Sequence, residues 1–365
     1  MTKKEREILE IIKADPTIEQ SEIAELLHIS RSTVAVHISS LIRQGLLMGK
    51  GYIINEEPYV LGIGASNVDI YGKSRIRIRM HYDHPADIIS SVGGVMHNII
   101  TNYAMLGLRT RMITAYGDDA YGKMIVEDFR KNQIDISDSL MVKGRSSGIF
   151  MQVQDENNDM FLAICDMFVL EELTPEFLFS KENVIANARL VVIDPSLSEA
   201  SIETVIGLCK GKTPLYMDPI SDNFALKMKP YVADMDLVKP NRSELANLSG
   251  MKTDDLKDVE RACEALLNRG LKKVVTSLGK DGILYMDGDR KILRRFKEEK
   301  KMVNASGAGD ALMAALIYGE VMGLEVEETI DYALAAGIAA VRSETTINEN
   351  MSIGLLDEII KENRK

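Results

Sequence analysis

In the N-terminal part of the chain, apolar residues recur at helical spacing. Ile8, Leu9, Ile11 and Ile12 precede Asp15-Pro16, Ile23, Leu26 and Leu27 fall within QSEIAELLHI, and Val34, Ile38, Leu41 and Ile42 follow a capping Ser30. Two short β-like runs around a Gly-Lys-Gly turn come next, in GLLMGKGYIINEE. This pattern predicts helix, helix, capped helix and hairpin, a small unit with its own core. From Tyr59 the period changes. The β-rich runs YVLGIG, ARLVVIDP, PLYMDP, DLVKPN and KKVVTSLG alternate with helical stretches. Runs that are apolar throughout are strands buried on both faces, so the expected class is α/β, a mostly parallel sheet with helices on both faces. Polar residues close these runs: Asn67 and Asp69 just after the first, then Asp194, Asp218, Asn241 and Ser277. Ligands of such sheets bind beyond the carboxyl ends of the strands, where those residues gather.

Two segments break the alternation. In KSRIRIRMHYDHPADIISSV, Arg75, Arg77 and Arg79 alternate with Ile76, Ile78 and Met80, which reads as a strand with two unlike faces. SGIFMQVQDENNDMFLAICDM reads as a hairpin about the turn DENND. Together they predict a small β lid from about 73–92 and 148–166. Glu56-Glu57-Pro58 marks the junction between a small unit over 1–57 and a large one over 58–365.

Composition narrows the class without deciding it. The chain has 365 residues, 45% of them hydrophobic, enough for one large core and one small one. No apolar run approaches the roughly 20 residues that span a bilayer, and MTKKEREILE is followed by no signal-peptide core. Cys165, Cys209 and Cys263 are too widely separated for a disulfide framework or a metal cluster. The expectation is a reducing, cytoplasmic setting with no membrane partner. A net charge of −11 argues against a basic, nucleic-acid-coating surface. Residues 1–57 carry seven Lys or Arg against nine Asp or Glu, yet 28–50 contains Arg31, Arg43 and Lys50 and no acid.

The candidate chemistry centres on VNASGAGDALMAALIYG, where the Gly-rich turn Gly307, Ala308 and Gly309 becomes the first turn of an apolar helix carrying Asp310. A helix N-terminus leaves about four backbone N–H groups unpaired and bears roughly half a positive charge. Glycine lets those donors close on an anion such as a transferring phosphoryl group. An acid at the rim could accept the proton of an attacking hydroxyl. The same residues also suit a plain helix cap.

Five ordered motifs extend this reading: GIGASNVDIYG at 62–72, SVGGVMHNI at 91–99, VKPNRSEL at 238–245, TSLGKDG at 276–282 and SGAGDALM at 306–313. Along residues 59–365 the chain resembles the ribokinase-like (PfkB) carbohydrate and nucleoside kinases. The resemblance implies Asp310 as catalytic base, with Gly307, Ala308 and Gly309 as its anion hole. It implies Asn67 and Asp69 on sugar hydroxyls, with Gly93, Gly94 and Asn98 beside them. Asn241, Ser277 and Gly279 would contact ATP, with Gly309, and Glu244 would hold Mg²⁺ through water. Local alternatives remain: a turn for Asn67 and Asp69, helix capping for Asn241 and Glu244, and a strand-end turn for Asp218. Ribokinases proper carry an acid where this chain has Asn304, so a monovalent-cation site of their type is doubtful.

Within the family, MDPIS, KPNRSELANLSG and SETTINENMS resemble the pseudouridine kinases. That branch implies phosphorylation of the ribose 5′-hydroxyl, a functional link to a pseudouridine-5′-phosphate glycosidase, and a homodimer paired through its lids. Asp166, Gln152 and His97 are candidates for the base pocket, with a satisfied structural histidine as the alternative for His97. EIAELLHISRSTVAVHISSLIRQGLL resembles the second and third helices of a winged helix-turn-helix. This resemblance implies that Arg31 meets DNA phosphate and that Ser32, Thr33 and His37 reach bases or phosphates. The alternative is a small domain that never touches DNA. Kinases of ribose or another nucleoside, and a nucleoside-sensing regulator with a kinase-like body, stay open.

Overall fold

The structure is a computed structural model and describes residues 1–47, 58–157, 159–296 and 306–364. At the N-terminus lie α1 (Lys3–Ala14), α2 (Gln20–Leu26) and α3 (Arg31–Arg43). Thr2 and Glu5 form a capping box on α1, and the Ser30 hydroxyl accepts the Thr33 N–H at the start of α3. The apolar stripes read from the sequence meet in one core of Ile8, Ile12, Ile23, Val34, Ile38, Leu41 and Leu47. The expected hairpin lies mostly at 48–57, outside the described residues, as do Glu56 and Glu57 of the expected junction.

The strands of the larger unit are β1 (Val60–Ile63), β2 (Asn67–Ser74), β3 (Ala86–Gly93), β4 (Thr110–Ile113), β5 (Ala115–Gly117), β6 (Leu140–Val142) and β7 (Gly148–Gln154). They continue with β8 (Met160–Asp166), β9 (Leu190–Ile193), β10 (Leu215–Met217), β11 (Leu237–Val238), β12 (Lys273–Ser277), β13 (Ile283–Asp287) and β14 (Lys291–Arg294). The main sheet has eight strands in the order β14-β13-β12-β11-β10-β9-β1-β4. From β4 to β12 all neighbours are parallel, and β13 and β14 complete the edge antiparallel. Alternate side chains serve two cores. Leu190 and Val192 pack with the helices Val95–Met105 and Ala308–Met322, while Val191 and Ile193 pack with Glu199–Cys209 and Leu256–Asn268. This two-sided burial is why the strands read as continuous apolar runs.

A second sheet, in the order β3-β2-β7-β8, is the lid. The β7–β8 hairpin stands where expected, but the first lid segment needs correction. The lid begins at Asn67, so Asn67 and Asp69 lie on a lid strand, and the Arg/Ile alternation at 75–80 is loop. Arg75 N–H donates to Pro85 O at 2.9 Å and Arg79 N–H to His84 Nε2 at 2.8 Å, so the segment folds back on itself. Pro85 has no N–H to offer a ladder, and the returning strand starts only at Ala86.

Leu61, fully buried on β1 of the main sheet, reports on this core. Leu61→Ala should lower unfolding stability by about 2–5 kcal/mol, seen as a reduced urea midpoint with an unchanged slope.

Candidate active site

Two helix N-termini meet beyond the carboxyl ends of the strands. Gly307 caps the helix Ala308–Met322 at φ +78°, and a side chain there would run into Thr346 O. Ala311 N–H bonds back to Gly307 O at 2.9 Å, so the N–H groups of Ala308, Gly309 and Asp310 have no partner within the helix. From the facing helix α4 (Val95–Met105), Asn98 Nδ2 donates to Asp310 Oδ2 at 2.9 Å.

The two glycines before α4 serve close approach. A side chain at Gly93 would overlap the Asp69 carboxylate, and one at Gly94, where φ is +102°, would lie 2.7 Å from Asn67 Oδ1. Asn67 Nδ2 donates to Asp69 Oδ1 at 2.6 Å. Burial raises the Asp69 carboxyl, against the opposing effects of Asn67, His97 and Tyr71. The base of the lid, the Gly93-Gly94 turn and Asp310 therefore form one wall.

A buried ion pair sits behind that wall. Lys239 Nζ lies 2.9 Å from Asp218 Oδ2, both side chains being almost fully buried. Ile220 N–H donates to Asp218 Oδ1 at 3.0 Å, with Ile220 at φ +63°, a strained value for a β-branched residue. Lys239 Nζ also reaches the start of the helix Ala308–Met322, since a methyl group on Gly309 would stand 3.1 Å from it. Burial works against the ammonium, yet Asp218, Glu244 and Asp310 hold its pKa above the usual lysine value. The half-buried Asp310 is pushed up to about 7, first by burial and then by Asp218 and Asp194, with Asn98 and Lys239 opposing. Asp194 accepts from Ala65 N–H at 3.1 Å and from Ser196 N–H at 2.9 Å.

On the far side of Lys239, Asn241 and Glu244 form a reciprocal capping box on the helix Arg242–Ser249. Asn241 Oδ1 accepts from Glu244 N–H at 2.9 Å, and Glu244 Oε2 accepts from Asn241 N–H at 2.8 Å. Burial raises the Glu244 carboxyl, helped by Asp218 and Asp222. Ser277, at the end of β12, bridges to Asn241, and Gly279 follows at φ +61° with open space where a side chain would be. Asp166 ends β8, exposed, with Oδ1 accepting from Phe168 N–H at 3.2 Å. Arg31, Ser32 and Thr33 are exposed at the start of α3, and His37 is half-buried one turn on. Among the described residues no three His, Cys, Asp or Glu converge as a metal cage, and no helix is long and apolar enough to cross a membrane.

The sequence reading missed Lys239, which stands inside a motif it quoted, and Asp128, which pairs with His97. A lysine two residues before a helix cap gives no local sign of burial, and Asp128 comes to His97 only through tertiary packing.

Comparison with known proteins identifies the family. Residues 57–353 match the model of the pfkB family carbohydrate kinases. The chain belongs to that family. It is thus a phosphotransferase with an alcohol group as acceptor, in the ribokinase-like fold. Residues 1–48 match a winged helix-turn-helix DNA-binding model. The chain is 32% identical to the uncharacterized sugar kinase YeiI of Escherichia coli (strain K12) over 96% of this chain and 97% of that one. It is 28% identical to the pseudouridine kinase of the same organism over 84% and 98%. A solved structure of a Clostridium perfringens protein described as a sugar kinase is 33% identical, covering 85% and 96%, with a TM-score of 0.74.

Removing the cation of the buried pair strands Asp218. Lys239→Met should cost about 3–5 kcal/mol in stability, measured by urea unfolding.

Proposed function

We propose that this kinase transfers the γ-phosphoryl group of ATP to the 5′-hydroxyl of a nucleoside's ribose, with pseudouridine the favoured substrate. The observation that carries the reading is Asp310, in the first turn of the helix Ala308–Met322, hydrogen-bonded to Asn98 and pushed by burial up to about 7. Asn67 and Asp69 bind ribose hydroxyls and Asn98 adds an amide contact, which aims the primary hydroxyl at Asp310. As the new O–P bond forms and the bond to ADP breaks, ionised Asp310 takes the hydroxyl proton. The N–H groups of Ala308, Gly309 and Asp310, with Lys239, hold the charge on the transferring oxygens. Asn241, Ser277, Gly279 and Gly309 contact the ATP phosphates.

The donor set fits Mg²⁺. Asp218, Glu244 and Asp310 gather around the ammonium of Lys239, and this excess of carboxylate favours a polyphosphate that arrives with a divalent cation. Glu244 would hold the ion through water, as Mg²⁺ usually keeps several waters. When bound, Mg²⁺ neutralises phosphate charge. Asn304, the residue that bears on a monovalent cation, lies outside the described residues.

Three features favour a nucleoside over a bare pentose. The relative named pseudouridine kinase aligns over most of both chains. The phrases MDPIS and SETTINENMS match that branch. A cavity of about 340 Å³, lined by Met167, Phe168, Ser196, Ser198 and Lys227 among others, opens beside the ribose site and suits a base. Met167 and Asn67 flank the same glycine, Gly148, which ties the cavity to that site. Asp166, at the lid end, would reach the substrate from the same side.

The exposed start of α3 suits DNA, with Arg31 on phosphate and Ser32, Thr33 and His37 at the groove, so the kinase would double as a regulator. Exposed Ile88, Ile89, Phe161, Leu162 and Ile164 favour a homodimer paired through the lids. A cytoplasmic setting, with a glycosidase consuming the phosphorylated product, completes the reading.

ADP release with Mg-ATP should be strong for pseudouridine and weak for uridine, ribose, adenosine and inosine. Turnover of another member of the panel would replace the substrate, and silence across it would overturn the reading in favour of a nucleoside sensor. Asp310→Asn should lower kcat by about 10²-fold or more, as loss of general-base catalysis does, with ATP affinity retained. Because Asp310 acts ionised and its pKa is raised to about 7, kcat/KM should fall as pH drops through 7.

A further inference from the structure

Asn98 Oδ1 faces His97, which is in turn anchored by Asp128, and the phosphoryl-transfer scheme leaves both residues unused. His97, only 1% exposed, places Nε2 at 2.8 Å from Asp128 Oδ2 and Nδ1 at 3.3 Å from Asn98 Oδ1. Asp128 lies on α5 (Ala120–Lys131), and its neighbour Phe129 packs its ring 5.1 Å from the imidazole at a 57° tilt. Asn132 Nδ2 donates to the same Asp128 oxygen at 3.1 Å. Burial pushes the Asp128 carboxyl up, but the bond and charge of His97, with Asn132 and Lys131, hold it below the usual range. The groups facing His97 are thus Asp128 and Phe129 from α5, Asn98 from its own helix, and the Asp69 carboxylate from β2. Those facing Asp310 are Asn98, Lys239, Asp218 and Asp194.

A carboxamide has two nearly isosteric orientations that exchange its oxygen and nitrogen. Only one serves Asp310. With Nδ2 toward the carboxylate there is a hydrogen bond, and with Oδ1 there two acceptors face each other. The choice is made at the other end of the group, where Asn98 Oδ1 needs a donor and meets His97 Nδ1. Asp128 takes the opposite edge of the ring at Nε2, which turns Nδ1 toward Asn98.

We propose that His97, anchored by Asp128, is a positioning residue for phosphoryl transfer that fixes the Asn98 carboxamide in the orientation that donates to Asp310. The proposal rests on Asp310 as the base. The buried ring reaches Asp310 through Asn98, while its effect on Asp69 is electrostatic. Without it, Asn98 turns freely, and Asp310 loses the donor that favours its ionised form.

The test is a double-mutant cycle in the full-length protein with His97→Leu, Asn98→Ala and the pair, and with Asp128→Asn as a milder break. Two readouts are followed: kcat/KM against pH, and the Asp310 carboxyl titration by ¹³C NMR, assigned by its loss in Asp310→Asn. His97→Leu should move both midpoints up by about half a unit and lower kcat roughly ten-fold, with KM for ATP unchanged. Asp128→Asn should act in the same direction with a smaller effect. On the Asn98→Ala background, His97→Leu should leave the Asp310 midpoint unmoved, since its path to Asp310 is already cut. Wild-type midpoints in both His97→Leu and Asp128→Asn, or an Asp310 midpoint that His97→Leu still moves on the Asn98→Ala background, would overturn the proposal. If His97→Leu does not fold, Asp128→Asn decides. The NMR titration needs no turnover, so a wrong substrate assignment does not mask the result.

Discussion

The ammonium of Lys239 stands where the main sheet, the start of the helix Ala308–Met322 and the Asn241–Glu244 cap meet. Parallel strands all end on the same side, and those ends deliver Asp194, Asp218 and the Asn241–Glu244 cap to one place. The helix Ala308–Met322 brings Asp310 to the same point. Like charges gathered out of water repel, and Lys239 makes the arrangement tenable through its 2.9 Å contact with Asp218 and its proximity to Gly309. A buried ion pair is seldom a net gain in stability over apolar packing. Its place beside the start of the helix Ala308–Met322, with Ile220 strained next to it, points to function as the reason it is there.

Asp310 is balanced between two sets of forces. Burial, Asp218 and Asp194 favour its neutral form, whereas Asn98 and Lys239 favour its ionised form. The outcome, near neutrality, suits a group that must lose a proton to act and regain one in the act. Its position is as constrained as its charge. Gly307 admits the chain past Thr346, and Asn98 spans the gap from a helix whose own start depends on Gly94.

The central strands were legible in the sequence because burial on both faces makes them apolar throughout, and polar residues mark their ends. The lid edge was not. The alternation of Arg75, Arg77 and Arg79 with isoleucine and methionine imitates a strand, but a strand needs a partner, and Pro85 delays the only neighbour in sequence that could supply one. The edge strands β13 and β14 were not read either, since β14 is four residues long and bounded by Lys291 and Arg294. Asp310, Asn98 and the paired glycines were legible because their spacing is part of a motif. Lys239 and Asp128 were not, because burial and a tertiary hydrogen bond made them significant.

The Asn241–Glu244 motif shows how a structural and a functional reading of the same residues can both hold. The structure makes them a capping box, and the box consumes Asn241 Oδ1 and Glu244 Oε2. Each side chain has a second polar atom with the opposite bias. Asn241 keeps Nδ2, a donor suited to phosphate oxygen, and Glu244 keeps Oε1, an acceptor suited to a water on a cation. The cap also fixes the direction of both groups, since neither can rotate without breaking the box. In the role proposed for them, the cap orients the nucleotide-binding atoms, so the spacing that starts the helix also sets the chemistry at its mouth.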